Sequence, residues 1–154
     1  MRGLVVATVV ALVLPFGRAE AVEFKIDSLV IESPWARETP KGATIGGGYL
    51  EIRNNGTVSD RLIAGSVILA KGFQIHSMTM ENGVAKMHGV TDGVEIKPGE
   101  SLKFEPGSSH LMFVGLTKPL HNGDTVKGTL NFEHAGTVEI EYRVLSLGAK
   151  EPLN

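Results

Sequence analysis

The sequence contains no cysteine, and this absence excludes several kinds of chemistry together. Without thiols the chain has no disulfide, no thiolate nucleophile, no thiolate metal ligand and no cysteine to carry a lipid. Aromatic residues are scarce at 6%, and 15 basic against 17 acidic residues leave a net charge of −2. Domains that bind nucleic acid by neutralising phosphates usually carry a dense basic face, so nucleic acid is not an expected partner.

The composition that remains is typical of a folded domain. Of the 154 residues, 42% are hydrophobic and only 21% are charged, which is far from the composition of disordered chains. The length suits one domain, and no internal repeat or linker divides the chain. We therefore expect a single globular unit.

The N-terminus has the pattern of a secretory signal peptide. Arg2 precedes an apolar run over residues 4–14, and small residues flank a glutamate at 19–21. The apolar run is too short for a membrane span, which needs about 20 residues. We predict that residues 1–21 are removed and that residues 22–154 form one domain in the periplasm.

The rest of the chain shows short β-strand patterns separated by regular turn signals, and no stretch sustains a helical period. The strand patterns are at 24–26, 49–52, 73–75, 102–104, 126–132 and 138–144. The turn signals are at 54–56, 82–83, 92–93, 98–99, 106–107, 122–123 and 135–136. This spacing predicts an all-β Greek-key sandwich or barrel. The glycine run at 46–48 lacks the Gly-Lys-Ser/Thr of a phosphate loop, and we interpret it as a flexible lead into a strand.

The methionines are clustered. Four of the five lie between residues 78 and 112, and two belong to His-x-Met pairs, namely His76 with Met78 and His110 with Met112. Side chains two residues apart on a strand project from the same face. Each pair therefore predicts an imidazole and a thioether side by side.

A hairpin is predicted between the two pairs. Asn82-Gly83 is a strong signal for a two-residue type I′ turn, which would pair Glu81 with Val84. In that register Met78 lies opposite Met87, and the first histidine is a diagonal neighbour of Met87 on the same face. Three potential ligands would then converge.

These donor types favour one metal. A thioether is neutral and polarizable, and it contributes little to Mg²⁺, Ca²⁺ or Zn²⁺ sites. Two imidazoles and two thioethers suit Cu(I) in roughly tetrahedral geometry. A blue-copper electron-transfer site needs a cysteine thiolate, so the pattern favours a copper carrier over a redox centre.

Two other classes of protein remain as alternatives. Methionine at alternating strand positions is often core filler, in which case the chain is a secreted structural or adhesion module with no metal role. An enzyme is a weaker alternative, because the sequence shows no nucleophile and base pair and no paired-carboxylate motif. We predict that the protein is not an enzyme.

The other histidines and Met80 are expected outside the ligand set. Met80 is two residues beyond Met78 and projects from the same face of the strand, and we interpret it as a wall of the site. His88 has the opposite parity to Met87 and should point away. His121 and His134 lie alone beside turns and should be exposed. For Trp35, packing beside the site and packing in an ordinary core are equally compatible with the sequence.

The pattern resembles the periplasmic copper chaperones of the PCuAC type. Ten residues separate His76 from Met87, and 22 separate Met87 from His110, which is followed by Met112. The resemblance extends over about residues 33–144. It includes the flanking segments 34–37, 48–54, 80–84, 106–112, 115–116 and 132–136.

The resemblance implies a cupredoxin-like fold that binds one Cu(I) per chain through His76, Met87, His110 and Met112. It implies delivery of copper toward the dinuclear centre of cytochrome c oxidase or other periplasmic acceptors. We also expect the protein to be a monomer. The predicted hairpin register makes Met78 a rival to Met87, whereas a turn pairing Met80 with Gly83 would place the first histidine directly opposite Met87. We follow the family pattern and keep Met78 as an accessory ligand. Some relatives carry a His/Met-rich C-terminal extension; residues 147–154 contain neither residue, so a second, Cu(II) site is not expected.

Overall fold

In a computed structural model the described residues, 21–152, form eleven β-strands and no helix, so the all-β prediction is confirmed. No helix in this part of the chain is suited to cross a membrane. Residues 1–20 of the predicted signal peptide lie outside the described residues. The strands are β1 (Glu23–Ile26), β2 (Leu29–Arg37), β3 (Ile45–Asn54), β4 (Asp60–Val67), β5 (Ala70–Glu81), β6 (Val84–Val90), β7 (Val94–Ile96), β8 (Ser101–Phe104), β9 (His110–Leu116), β10 (Thr125–Phe132) and β11 (Gly136–Leu145).

The strands pair in the order β6-β5-β9-β3-β2-β11-β10-β4-β7, with β1 beside β2 and β8 beside β3. All the pairs are antiparallel except β11 with β2, which run parallel. The sheet folds back on itself, since the Phe73 ring of β5 lies where a side chain at Gly65 of β4 would be. The result is a sandwich closed around a main hydrophobic core.

The core is built from alternate residues of each strand. Ile75 on β5 and Leu111 and Phe113 on β9 are buried. The ring of Phe113 packs against that of Tyr142, with centroids 5.2 Å apart. Because side chains alternate along a strand, the residues between these on β5 and β9 face outward. The outward face of β6, β5, β9 and β3 carries the candidate site.

The glycine run corrects one expectation. Gly46, Gly47 and Gly48 lie inside β3 rather than forming a flexible lead into it. A Cβ on Gly48 would collide with the ring of Phe113, and a Cβ on Gly47 would lie 2.7 Å from the Tyr49 hydroxyl. These glycines are therefore needed because aromatic side chains occupy the space beside the strand.

Strand β2 has no counterpart among the predicted strands. It contains Pro34, and its register with β3 shifts between Glu32 and Trp35. Ser33 beside the proline has a φ of 46°. A proline and a bulge obscure the alternation of polar and apolar residues, because the bulge moves the buried side chains by one position.

Candidate metal site

The β5–β6 hairpin has the register predicted from its turn. Glu81 pairs with Val84, and Asn82 and Gly83 have φ values of 50° and 77°. The shifted alternative, which pairs Met80 with Gly83, is wrong. It would place Glu81 in the turn, where positive φ is required, and such angles favour asparagine and glycine.

The two histidines lie directly opposite each other. His76 on β5 pairs with His110 on β9. Their rings are 5.2 Å apart between centroids and inclined at 39°. Gly89 on β6 is the other neighbour of His76. We call Gly89, His76 and His110 the histidine row.

The thioethers flank the histidine row on both sides. Met112 lies in the inner row, between Gln74 of β5 and Gly47 of β3. Met78 and Met87 form the outer row, toward the hairpin turn. Consecutive rows on one face are about 6.8 Å apart, and a diagonal neighbour lies within reach of a long side chain. Met87 and Met112 can therefore approach the histidines from opposite directions.

Each histidine has one ring nitrogen engaged by a protein acceptor. His76 Nε2 donates to the side-chain oxygen of Gln74 at 3.0 Å. His110 Nδ1 donates to the carbonyl oxygen of Ser108 at 3.1 Å. In these tautomers the lone pairs are on His76 Nδ1 and His110 Nε2. A hydrogen bond at one nitrogen fixes the ring and the tautomer that leaves the other nitrogen able to bind a metal.

Burial and the neighbouring histidine favour the neutral form of His76. Desolvation lowers the pKa of His76 below its ordinary value of 6.5, and the charge of His110 lowers it further. A neutral imidazole binds metal without first losing a proton.

Two glycines lie beside the candidate donors, and the one next to His76 leaves open space. Gly89 adjoins His76, and a Cβ built there meets no atom within 4 Å. Gly47 adjoins Met112 on the other side of the site. The sequence analysis missed both, because a glycine in a strand has meaning only once its cross-strand neighbours are known.

None of the four methionines in the described residues belongs to the core. Met80 is 67% exposed and Met87 is 41% exposed, while Met78 and Met112 are partly buried. The interpretation of these methionines as core filler is therefore wrong. The expectation that Met80 forms a wall is also wrong, because its side chain projects into solvent near the turn.

The remaining histidines lie away from the rows, as predicted. His88 is on the opposite face of the hairpin, where its Nε2 is 3.1 Å from the Thr79 hydroxyl and 3.7 Å from a Glu81 carboxylate oxygen. His121 and His134 are exposed beside turns. Among residues 21–152 no three His, Asp or Glu side chains are grouped as a metal site of harder donors.

Trp35 belongs to a small buried cluster with Tyr49 and Leu145. Its ring lies 4.5 Å from that of Tyr49. Tyr49 lines a groove of about 340 Å³ together with His110 and Met112. Trp35 is therefore core, but it supports a tyrosine that borders the site.

Comparison with solved structures defines the class of this fold. A copper-bound PCuAC domain from PmoF2 is 27% identical, with a TM-score of 0.69 over 81% of this chain and 98% of that chain. The apo form of that domain gives 0.71 at 27% identity, over 84% of this chain and 99% of that one. Cu(I)-bound DR1885 of Deinococcus radiodurans, at 21% identity, has the same fold with a TM-score of 0.62, over 86% and 84% of the two chains. The cupredoxin-like prediction and the resemblance to PCuAC domains are confirmed.

Residues 29–144 match the family described as "Putative lipoprotein LpqE-like", and the chain belongs to that family. A relative from Leifsonia xyli subsp. xyli, described as putative lipoprotein Lxx21020, is 28% identical over 126 residues. That match covers 81% of this chain and 75% of the relative.

Proposed function

We propose that this protein is a copper carrier that binds one Cu(I) through His76, Met87, His110 and Met112. The observation that carries the proposal is the pair of facing histidines with a methionine on either side, all on one face of the sheet. Similarity to a copper-bound PCuAC domain supports it independently.

The donor set fits Cu(I) on chemical grounds. Thioether sulfur is a soft ligand and imidazole suits copper, whereas no carboxylate that would favour a hard ion lies in these rows. All four donors coordinate as neutral groups, so none has to become an anion to bind the ion. The hydrogen bonds to Gln74 and Ser108 hold the two imidazoles in the tautomers that the site needs.

The exposure of the site favours transfer over permanent storage. It lies on the outside of a sheet, and Met87 comes from an edge strand that pairs with β5 alone. An acceptor's ligand can approach there and replace one donor at a time. Met78, directly opposite Met87, is an accessory ligand in this exchange.

The proposed setting is the periplasm, reached through a signal peptide at residues 1–21. The lipoprotein descriptions of the family and of its relative agree with an envelope location. We further propose that the acceptor is a periplasmic copper centre such as that of cytochrome c oxidase. The protein would act as a monomer and as a carrier rather than an enzyme.

The test is an anaerobic Cu(I) titration against a chromogenic competitor, with Zn²⁺ and Cu²⁺ in parallel. We expect tight one-to-one Cu(I) binding. His110→Ala or Met112→Ala should weaken it at least tenfold, about 1.4 kcal/mol, because each removes one ligand. His134→Ala is the matched control and should leave the affinity unchanged.

Two outcomes contradict the proposal. Absence of Cu(I) binding would return the protein to the class of secreted structural modules. Equal losses in the His134 variant and the His110 variant would show that the histidine row is not the site.

A further inference from the structure

The hairpin carries more thioethers than the proposed ligand set uses. Met78 and Met80 lie outside the four ligands, yet both share the face of Met87. Met80 lies one row beyond the outer row, opposite Ala85, and next to the turn. The three methionines therefore extend from the histidine row to the tip of an edge hairpin.

The register makes Met78 a nearer neighbour of Met87 than either histidine is. Met78 and Met87 are directly opposite, a relation that places Cβ atoms about 4.5–5.5 Å apart. His76 is only a diagonal neighbour of Met87, at a greater separation. The side chain of Met87 has three rotatable bonds, so it can turn toward the histidine row or toward the thioethers of Met78 and Met80.

The charged side chains of the hairpin lie on its other face. Lys86 binds Glu81 with 2.5 Å between Nζ and Oε2, and His88 contacts Thr79 there. The methionine face between the outer row and the turn thus carries thioether donors and no imidazole or carboxylate. Such a set attracts soft cations, and it binds them more weakly than one that also includes imidazole.

We propose that Met78, Met80 and Met87 form a second, weaker soft-metal site through which Cu(I) passes from the histidine row to an acceptor at the hairpin tip. This inference rests on the proposed function and adds a route to it. At each step one copper–ligand bond forms as another breaks. Copper remains Cu(I), so no electron or external reagent is needed.

The route is tested by separating affinity from transfer rate. Met78→Leu and Met80→Leu remove a thioether while nearly conserving volume. We expect the Cu(I) affinity of Met80→Leu, which lies one row beyond the outer row, to stay within about threefold of that of the original protein. The rate of transfer to a chromogenic Cu(I) chelator, followed by stopped flow, should fall at least fivefold in the double variant. Val84→Leu changes the opposite face of the same hairpin and should leave the rate unchanged.

A second measurement locates the weaker site directly. With methyl-labelled methionine and Ag(I) as a stable substitute for Cu(I), the first equivalent should shift the NMR signals of Met87 and Met112. Further equivalents should shift those of Met78 and Met80. Methyl signals of Met80 that stay fixed, or an unchanged transfer rate in the double variant, would overturn the route while the carrier proposal stands. Failure of the original protein to bind Cu(I) would overturn both.

Discussion

At the scale of single residues, the proposed site depends on a side chain that is missing as well as on its candidate donors. Gly89 is the cross-strand neighbour of His76, and no atom fills the space where its Cβ would be. Met87 is the next same-face residue on β6. Under the proposed function, the open space beside His76 lets the Met87 thioether reach the histidine row.

Gly89→Leu should reduce Cu(I) affinity at least tenfold, about 1.4 kcal/mol. The added side chain would fill that open space and keep Met87 from the imidazole. Competition titration with a Cu(I) chelator measures the effect.

Ala85→Leu is the matched control, since it adds leucine bulk on the same face of β6 near the turn. It should leave the equilibrium affinity unchanged. If both leucine variants lost affinity equally, the loss would come from a disturbed hairpin, and the role assigned to Gly89 would be wrong.

At the scale of elements, one buried carboxylate ties β4 to the turn between β10 and β11. Asp60 accepts hydrogen bonds from the backbone N–H groups of Arg61, His134 and Ala135 at 2.7, 3.0 and 2.9 Å. Desolvation alone would raise the pKa of Asp60, but these three hydrogen bonds, together with the charge of His134, outweigh it and lower the pKa below the ordinary 3.8. The charged form is therefore favoured in the folded state.

Asp60→Asn should lower the free energy of unfolding by about 2 kcal/mol at pH 7, because an amide cannot accept from all three donors. Because the pKa of Asp60 is lower in the folded state than in the unfolded state, its charge contributes fully to the stability of the fold at pH values above the unfolded pKa. That contribution is lost as the pH falls through the folded value. Urea denaturation at pH 7 and at pH 3 should show the difference between the two proteins shrinking at the lower pH.

Asp92→Asn, at an exposed turn position, is the control and should cost little at either pH. A loss in the Asp60 variant that is the same at both pH values would contradict the assigned cause.

Elements differ in how far the sequence predicts them. The β5–β6 hairpin follows from local chemistry, because Asn82-Gly83 supplies the two positive φ angles that a type I′ turn needs. The path of β2 does not follow, since Pro34 and the shift in register interrupt its pattern. From the sequence, the glycine run at 46–48 is interpreted as flexible. In the structure, the ring of Phe113, 65 residues further along the chain, leaves no room for a side chain at Gly48.

At the scale of the whole molecule, the proposed metal site joins an edge of the sheet to its interior. Met87 lies on the edge strand β6, His76 on β5, and His110 and Met112 on β9. The other edge, β7, lies at the opposite end of the strand order. A ligand that binds across three strands opposes any opening that separates them.

Cu(I) binding should therefore slow hydrogen exchange at one edge of the sheet and not at the other. At a free metal concentration 100 times the Kd, the amides of β6 that bond to β5 should exchange up to about 100-fold more slowly. The amides of β7 should change little. Mass-spectrometric exchange with and without Cu(I) measures both edges in the same sample, and equal slowing of β6 and β7 would place the metal elsewhere.

The sequence by itself determined the chemistry and the local geometry of this protein. The absence of cysteine and the two His-x-Met pairs specify soft neutral donors that share one face of a strand, because donor type follows from residue type and facing follows from the strand period. The Asn-Gly turn specifies that Met78 lies opposite Met87. Only the tertiary structure decided that His76 faces His110, since that pairing joins strands 34 residues apart in the chain. It alone placed glycines beside the candidate donors and the four methionines outside the core, because both depend on which strands become neighbours.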